Sequence, residues 1–112
     1  MLPKSKKLNL SLEENRSLFR KKPVSTKHLS IYWCKKQRSD FAAAVVVPNK
    51  VLQKAVDRNR VRRALYQVIT TLEQNLKARR IIILMKQSPV KLDKESTKQL
   101  QEELTQALQE NN

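Results

Sequence analysis

Two apolar runs that enclose a long amphipathic segment constrain the fold of this chain more than any other feature. Phe41–Val47 is unbroken, has the length of a strand and ends at a proline, so it is predicted to be a strand covered on both faces. Ile81–Met85 is the strongest strand signal in the chain. Residues 55–76 between them change to helical periodicity, with one apolar stripe formed by Val61, Leu65, Val68, Leu72 and Leu76. These segments predict a helix packed on a sheet.

Three further segments complete the predicted order of elements. Leu29–Cys34 alternates at period two, so it is predicted to be a strand with Leu29, Ile31 and Trp33 on one face and Ser30, Tyr32 and Cys34 on the other. The polar run 35–40 is predicted to be a turn. A short helix over 11–20 is predicted from a capping box at Ser11 and Glu14, and Pro23 ends it. Asp93 is predicted to cap a last helix, whose apolar stripe is Leu100, Leu104, Ala107 and Leu108.

The resulting order is αββαβα, which predicts a two-layer α/β (α+β) sandwich with a small sheet of three or four strands. With 112 residues the chain is expected to form a single domain, residues 1–112, in which residues 1–8 are a basic and flexible start.

The composition excludes several classes of enzyme. The chain has no glycine, so it lacks the glycine-rich phosphate loops and the nucleophile elbow. Its one cysteine, Cys34, rules out an internal disulfide, and its one histidine, His28, is interpreted as a surface residue. No catalytic residue is therefore predicted in the protein. With no stretch of about 18 apolar residues and no signal-peptide pattern, a cytoplasmic protein is expected, without a membrane or small-molecule partner.

The charge favours a polyanionic partner. The chain has 24 Lys and Arg against 10 Asp and Glu, a formal charge of +14. From Lys91 onward acids outnumber lysines, so the C-terminal segment is not expected to form the RNA-binding face.

That partner is predicted to meet the start of the long helix, where four arginines fall within six residues. Arginine presents a planar fork of donors that matches phosphate oxygens, and an asparagine can both donate to and accept from RNA. At about 100° per residue, Asn59, Arg60 and Arg63 point away from the apolar stripe, whereas Arg58 and Arg62 lie at its flank. The sequence therefore predicts a rigid RNA-binding helix face.

The segment from Val47 to Arg63, with its Arg-Asn-Arg core after a strand, resembles the signature of the bacterial ribonuclease P protein subunit. The likeness extends over nearly the whole chain. It implies an αββαβα sandwich with a left-handed crossover, and an accessory subunit of an endoribonuclease that removes the 5′ leader of precursor tRNA. It also implies that ribonuclease P RNA performs the hydrolysis, with Mg²⁺ bound mainly by that RNA. The resemblance does not indicate which residues of the protein, if any, bind a metal.

Two surfaces follow from the resemblance. The catalytic RNA would be bound by Arg58, Asn59, Arg60, Arg62 and Arg63. A cleft between the first helix and the sheet would hold the single-stranded leader through Phe19, Tyr32 and Lys50, with Ser30 in its floor. Aromatic rings suit single strands because any base can stack on them. Phe19 has a second interpretation, as an ordinary core residue.

The chain departs from the family pattern mainly around the cleft. Asn15 stands where a second aromatic is common, and Val46 and Pro48-Asn49-Lys50 stand where a serine and a basic pair are common. Leu52-Gln53-Lys54 replaces a glycine, and Tyr66 stands where a further arginine is often found. These departures predict a weaker or differently selective grip on the leader.

Two other functions share part of this pattern. A ribosomal or other structural RNA-binding protein would have the same size and charge, and would copurify with ribosomal subunits. A DNA-binding regulator would place the arginine helix in a major groove, but apolar strands flank that helix here where a helix-turn-helix is expected.

Overall fold

The structure is a computed structural model that describes Phe19 and residues 22–34, 41–76, 80–89 and 92–110, with only the backbone of Cys34. The predicted start over residues 1–8, the predicted helix over 11–20 apart from Phe19, and the predicted turn over 35–40 lie outside the described residues.

The described strands form one four-stranded sheet in the order β1-β2-β4-β3. Its strands are β1 (Val24–Ser25), β2 (Leu29–Cys34), β3 (Ala42–Val46) and β4 (Arg80–Met85). β2 pairs antiparallel with β1 and with β4, whereas β3 pairs parallel with β4. The strands β2 and β3 follow each other in the chain, but β4 lies between them. A parallel pair needs a long connection, which is the helix between β3 and β4.

That connection is α1 (Ala55–Leu72), which continues into a single 3₁₀ turn, Glu73–Asn75. The last element is α2 (Lys94–Glu110). The predicted cap of α2 is confirmed: the carboxylate of Asp93 accepts the backbone N–H of Ser96 at 2.8 Å, and the hydroxyl of Ser96 accepts that of Asp93 at 2.8 Å. Two otherwise unpaired N–H groups are thereby satisfied, which fixes the start of the helix.

The main core lies between one face of the sheet and both helices. The sheet contributes Leu29 and Ile31 from β2, Ala43 and Val45 from β3, and Ile81, Ile83 and Met85 from β4. The helices contribute the predicted stripes together with Ile69 of α1. Each large side chain buried here stabilises the fold by about 1.5–3 kcal/mol, so this layer supplies most of the favourable free energy. The predicted apolar faces of β2, α1 and α2 are thus confirmed.

The opposite face of the sheet carries a second, smaller apolar cluster. Ala44 and Ile82 are buried there, and the half-buried Tyr32 and Val46 pack against them. Because β3 contributes to both clusters, its prediction as a strand covered on both faces is confirmed.

The structure is the mixed α+β fold that was predicted, with four strands in its sheet. The strand β1 was not predicted, because two residues are too few to show a period. The long helix was predicted to reach Leu76 but ends at Leu72, since the chain tightens into a 3₁₀ turn closed by the Leu76 N–H bonded to the Glu73 carbonyl. The left-handed crossover stays a prediction.

Candidate nucleic-acid interface

The five residues predicted to bind the catalytic RNA all lie in the first turns of α1. Asn59, Arg60 and Arg63 are exposed, whereas Arg58 and Arg62 are half-buried beside the core stripe. This arrangement is the one expected from helical periodicity. Because Val61 and Leu65 of the same turns are fully buried, α1 presents its polar side chains from a helix that is anchored in the core.

Arg58 is also part of the local structure. Its Nη1 donates to the carbonyl of Leu52 at 2.9 Å and to that of Gln53 at 2.8 Å. These bonds hold the loop that joins β3 to α1, in which Val51 and Leu52 donate their N–H groups to the carbonyl of Pro48. A guanidinium has five N–H donors, so the Nε and Nη2 groups of Arg58 are not used by these two bonds.

Asn59 and Arg62 act as a pair one helical turn apart. The Nη2 of Arg62 donates to the Oδ1 of Asn59. This bond orients the amide of Asn59 so that its NH₂ group is left to donate, and it limits the freedom of the long Arg62 side chain. The pair therefore offers a partly pre-organised set of donors to an anionic or hydrogen-bonding partner.

Tyr66, one turn beyond Arg62, does not belong to the exposed polar surface. It is buried, and its hydroxyl accepts the backbone N–H of Val45 at 3.1 Å. Since β3 is the edge strand of the described sheet, the Tyr66 hydroxyl takes the position of a strand partner for this N–H. Tyr66, which replaces the arginine of the family pattern, therefore accepts a hydrogen bond from the edge strand β3 and lies on the core side of α1.

Arg60 and Arg63 point from α1 toward α2. They line an open groove of about 800 Å³ whose opposite wall is the first two turns of α2, with Lys94 and Lys98. Because of its negative charge balance, the C-terminal segment was not expected to form the RNA-binding face. The structure nevertheless places two of its lysines beside the arginines. Sequence reasoning missed these lysines; their shared position on α2, four residues apart, was the available signal.

On the other face of the sheet, Phe19 packs edge-on against Tyr32. Their ring centroids lie 5.0 Å apart and the rings are inclined by 67°. Phe19 is 37% exposed and Tyr32 is half-buried, so both rings reach the surface. Of the two interpretations of Phe19, the structure supports a surface ring over a core residue.

Ser30 and Lys50 lie at one end of this aromatic pair. Ser30 shares the face of Tyr32, is 7% exposed and lies opposite Leu84, which in turn lies opposite Val46 at the end of β3. Lys50 is exposed in the turn that follows β3, beyond Val46. The structure thus places Ser30 on the face of β2 that carries Tyr32, and Lys50 in the turn after β3.

His28, which was interpreted as a surface residue, is instead half-buried and paired. Its backbone N–H donates to one carboxylate oxygen of Glu103 at 3.1 Å, and its Nδ1 lies 3.2 Å from the other. His28 also accepts, at its carbonyl, the N–H groups of Lys86 and Gln87. It therefore joins the start of β2 to α2 and to the end of β4, away from the arginines.

In the part of the chain that the structure describes, no three His, Cys, Asp or Glu side chains come together as a metal site. Among the described residues, no helix is long and apolar enough to cross a membrane.

A four-stranded sheet with two helices on one face, an arginine-bearing helix and a pair of surface aromatic rings define a small α+β protein of the RNA-binding class. Comparison with known proteins agrees with this class. The Ribonuclease P family model matches residues 2–112. The chain therefore belongs to the Ribonuclease P family, and is a protein subunit of the enzyme that processes the 5′ end of tRNA. Its partner is accordingly RNA.

Solved structures show the same fold. The RNase P protein of Staphylococcus aureus superposes with a TM-score of 0.74 at 23% identity, over 88% of this chain and 89% of that one. A mutant of that protein with defective mRNA degradation activity superposes with a TM-score of 0.79 at 22% identity, over 96% of this chain and 89% of that one. The RNase P protein of Thermotoga maritima superposes with a TM-score of 0.70 at 16% identity, over 93% of this chain and 96% of that one. A search of curated proteins finds no significant match.

Proposed function

We propose that this protein docks through α1 on the catalytic RNA of ribonuclease P and holds the 5′ leader of precursor tRNA against the Phe19–Tyr32 face of the sheet. The cytoplasm is the proposed site of this reaction. The observation that carries the proposal is the concentration of exposed and half-buried arginines on the first turns of α1, whose opposite side is fixed in the core.

The first part of the proposal rests on pre-organisation. Arg58 is tied to the loop before α1, and Arg62 is tied to Asn59, so two of the four arginines have restricted positions before any RNA is bound. Restricting a side chain in advance lowers the entropy lost on binding. Asp57 is the one acid among the arginines, so the field of this helix end is strongly positive.

The second part rests on the aromatic pair. An exposed Phe19 ring set against Tyr32 offers a surface on which unpaired bases can stack, worth about 1–3 kcal/mol per base. Ser30, on the same face of β2 as Tyr32, is small and buried, and the exposed Lys50 supplies a positive charge in the turn after β3. This arrangement suits a single strand because stacking does not depend on base identity.

The protein then acts by binding and positioning. Mg²⁺ bound by the RNA would supply the Lewis acid and the activated water for hydrolysis of the phosphodiester. The arginines of α1 would neutralise phosphates of the RNA, and the sheet face would orient the leader. Because cations of the protein replace part of the ionic screening, the protein is expected to lower the Mg²⁺ concentration that cleavage requires.

The test is cleavage of precursor tRNA by the ribonuclease P RNA of the same organism at low Mg²⁺, with and without the protein. Cleavage that appears only with the protein, and yields the mature 5′ end, is the expected result. Tight RNA binding without any stimulation by the cognate RNA would refute the proposal and favour a structural RNA-binding protein.

A further inference from the structure

The groove between α1 and α2 has a composition that the binding face of α1 does not explain. Four cations line it, two from each helix: Arg60 and Arg63 from α1, Lys94 and Lys98 from α2. We propose that this groove extends the RNA-binding surface of α1 onto α2, and that it takes a stretch of RNA phosphate backbone between the two helices. The inference rests on the proposed function, since it assumes that the partner of α1 is RNA.

The two walls of the groove are fixed relative to each other. The side-chain amide of Gln101 in α2 donates to the backbone carbonyl of Ala64 in α1 at 3.0 Å and lies 3.4 Å from the side-chain oxygen of Gln67. Both helices are also held by the core through Leu65 and Leu100. The two helices that carry these cations are therefore held together by a hydrogen bond and by the core.

The charges of α2 are divided only in part between its faces, since Glu102 lines the adjoining space between the two helices together with Lys98. Lys94 and Lys98, one helical turn apart, line the groove, whereas Glu103 faces β2 and bonds to His28. The carboxylate that does line the groove, Asp93, accepts the N–H of Ser96 as the cap of α2. Within the described part of the chain, none of the four groove cations is joined to a carboxylate in an ion pair.

The chemistry of the lining favours nucleic acid over another protein. The core of a protein interface is depleted of charged residues and enriched in aromatic ones. The described lining is mostly charged and polar: it has four cations, one carboxylate (Asp93), three polar side chains (Gln67, Thr97 and Gln101) and two apolar residues (Ala64 and Leu92). Such a surface binds phosphates without reading bases, so the site is expected to add affinity and orientation with little sequence preference.

The position of the groove links it to the proposed RNA-binding face of α1. Arg60 and Arg63 line the groove, while Asn59 and Arg62 lie on the side of α1 that continues to Tyr66 and β3. The helix α1 is therefore contacted by RNA along two flanks. The C-terminal helix, despite its negative balance, completes the second of them.

The experiment measures the salt dependence of binding to the cognate ribonuclease P RNA for the full-length wild type and for the double variant Lys94→Gln/Lys98→Gln. Both lysines are exposed, so the variant is expected to fold with an unchanged melting temperature. Loss of two phosphate contacts should reduce the slope of log binding constant against log salt concentration by about 1.4–1.8. At 0.15 M salt this corresponds to affinity weakened roughly 10–30-fold, with the difference vanishing toward 1 M.

Two matched variants separate a site from a general charge effect. Lys22→Gln/Lys27→Gln removes the same charge from exposed positions beside β1, at the edge of the sheet opposite β3, and should change the slope much less. Lys94→Arg/Lys98→Arg keeps the charge and should retain the wild-type slope. Equal losses in the two glutamine variants, or failure of the arginine variant to bind normally, would overturn the inference.

The same titrations distinguish the inference from the function on which it rests. A wild type that stimulates cleavage, combined with an unchanged slope in Lys94→Gln/Lys98→Gln, would refute the groove alone. A wild type that neither binds nor stimulates the cognate RNA would refute the proposed function and the groove together.

Discussion

The hydrogen bond between Tyr66 and the edge strand gives the sharpest test of how this chain accommodates its departure from the family pattern. The variant Tyr66→Phe keeps the ring and removes the hydroxyl that accepts the Val45 N–H at 3.1 Å. Both residues are buried, with exposures of 7% and 6%, so water cannot easily replace the lost partner. Leaving a buried donor unpaired costs about 1–3 kcal/mol.

The size of the expected thermal shift follows from the length of the chain. The unfolding entropy of a 112-residue protein is roughly 0.24 kcal/mol/K near 60 °C, from the typical value per residue. A loss of about 1–3 kcal/mol therefore lowers Tm by about 4–13 °C. Urea unfolding followed by circular dichroism should show the same loss as a lower midpoint with an unchanged m value, since the surface exposed on unfolding is the same.

Tyr32→Phe is the matched control for this experiment. Tyr32 is half-buried, and its described contact is made by the ring, which the variant retains. Its stability should stay within about 0.5 kcal/mol of the wild type. Tyr66→Phe should also leave RNA binding intact where the protein is folded, because Tyr66 faces β3. If Tyr66→Phe proves as stable as Tyr32→Phe, the edge-strand bond contributes nothing and the reasoning is wrong.

Three further predictions follow from the site and the core. Arg58→Ala and Arg63→Ala should each reduce the log–log salt slope of RNA binding by about 0.7–0.9. Urea unfolding should detect destabilisation only for Arg58→Ala, because this variant loses two hydrogen bonds to backbone carbonyls. Equal stabilities of the two variants would contradict the structural role of Arg58. Phe19→Ala and Tyr32→Ala should weaken binding of precursor tRNA by about 1–3 kcal/mol per stacked base but leave mature tRNA unaffected, and equal losses for both RNAs would argue against a leader site. Ile83→Ala, at a fully buried position, should cost about 2–5 kcal/mol in urea unfolding, and a smaller loss would mean that the core repacks around the cavity.

Local periodicity explains why so much of the fold was predicted from the sequence. The alternation in Leu29–Cys34 and the helical spacing of Val61, Leu65 and Val68 depend only on backbone geometry, which repeats every 2 residues in a strand and every 3.6 in a helix. The same geometry predicted the azimuths of the α1 arginines. The strand β1 was missed because two residues carry no period.

The candidate site was predicted only in part, because two of its features depend on contacts between distant segments. Helical spacing predicts that Arg60 is exposed, but not that Lys94 lies across a groove from it. Likewise, nothing near Tyr66 in the sequence indicates that its hydroxyl bonds to Val45, because the partner is defined by which strand lies at the edge of the sheet.

The sequence by itself determined the type of β2, β3, β4, α1 and α2, the faces they bury and the location of the arginines, because these depend on residues within a few turns of one another. The tertiary structure alone decided that β4 lies between β2 and β3, and that α1 and α2 lie side by side with their cations facing one groove. Lys94 and Lys98 come to line one groove with Arg60 and Arg63 only through this packing. The reason is physical: electrostatic attraction depends on distance in space, and the total charge of a segment does not reveal which of its side chains share a surface.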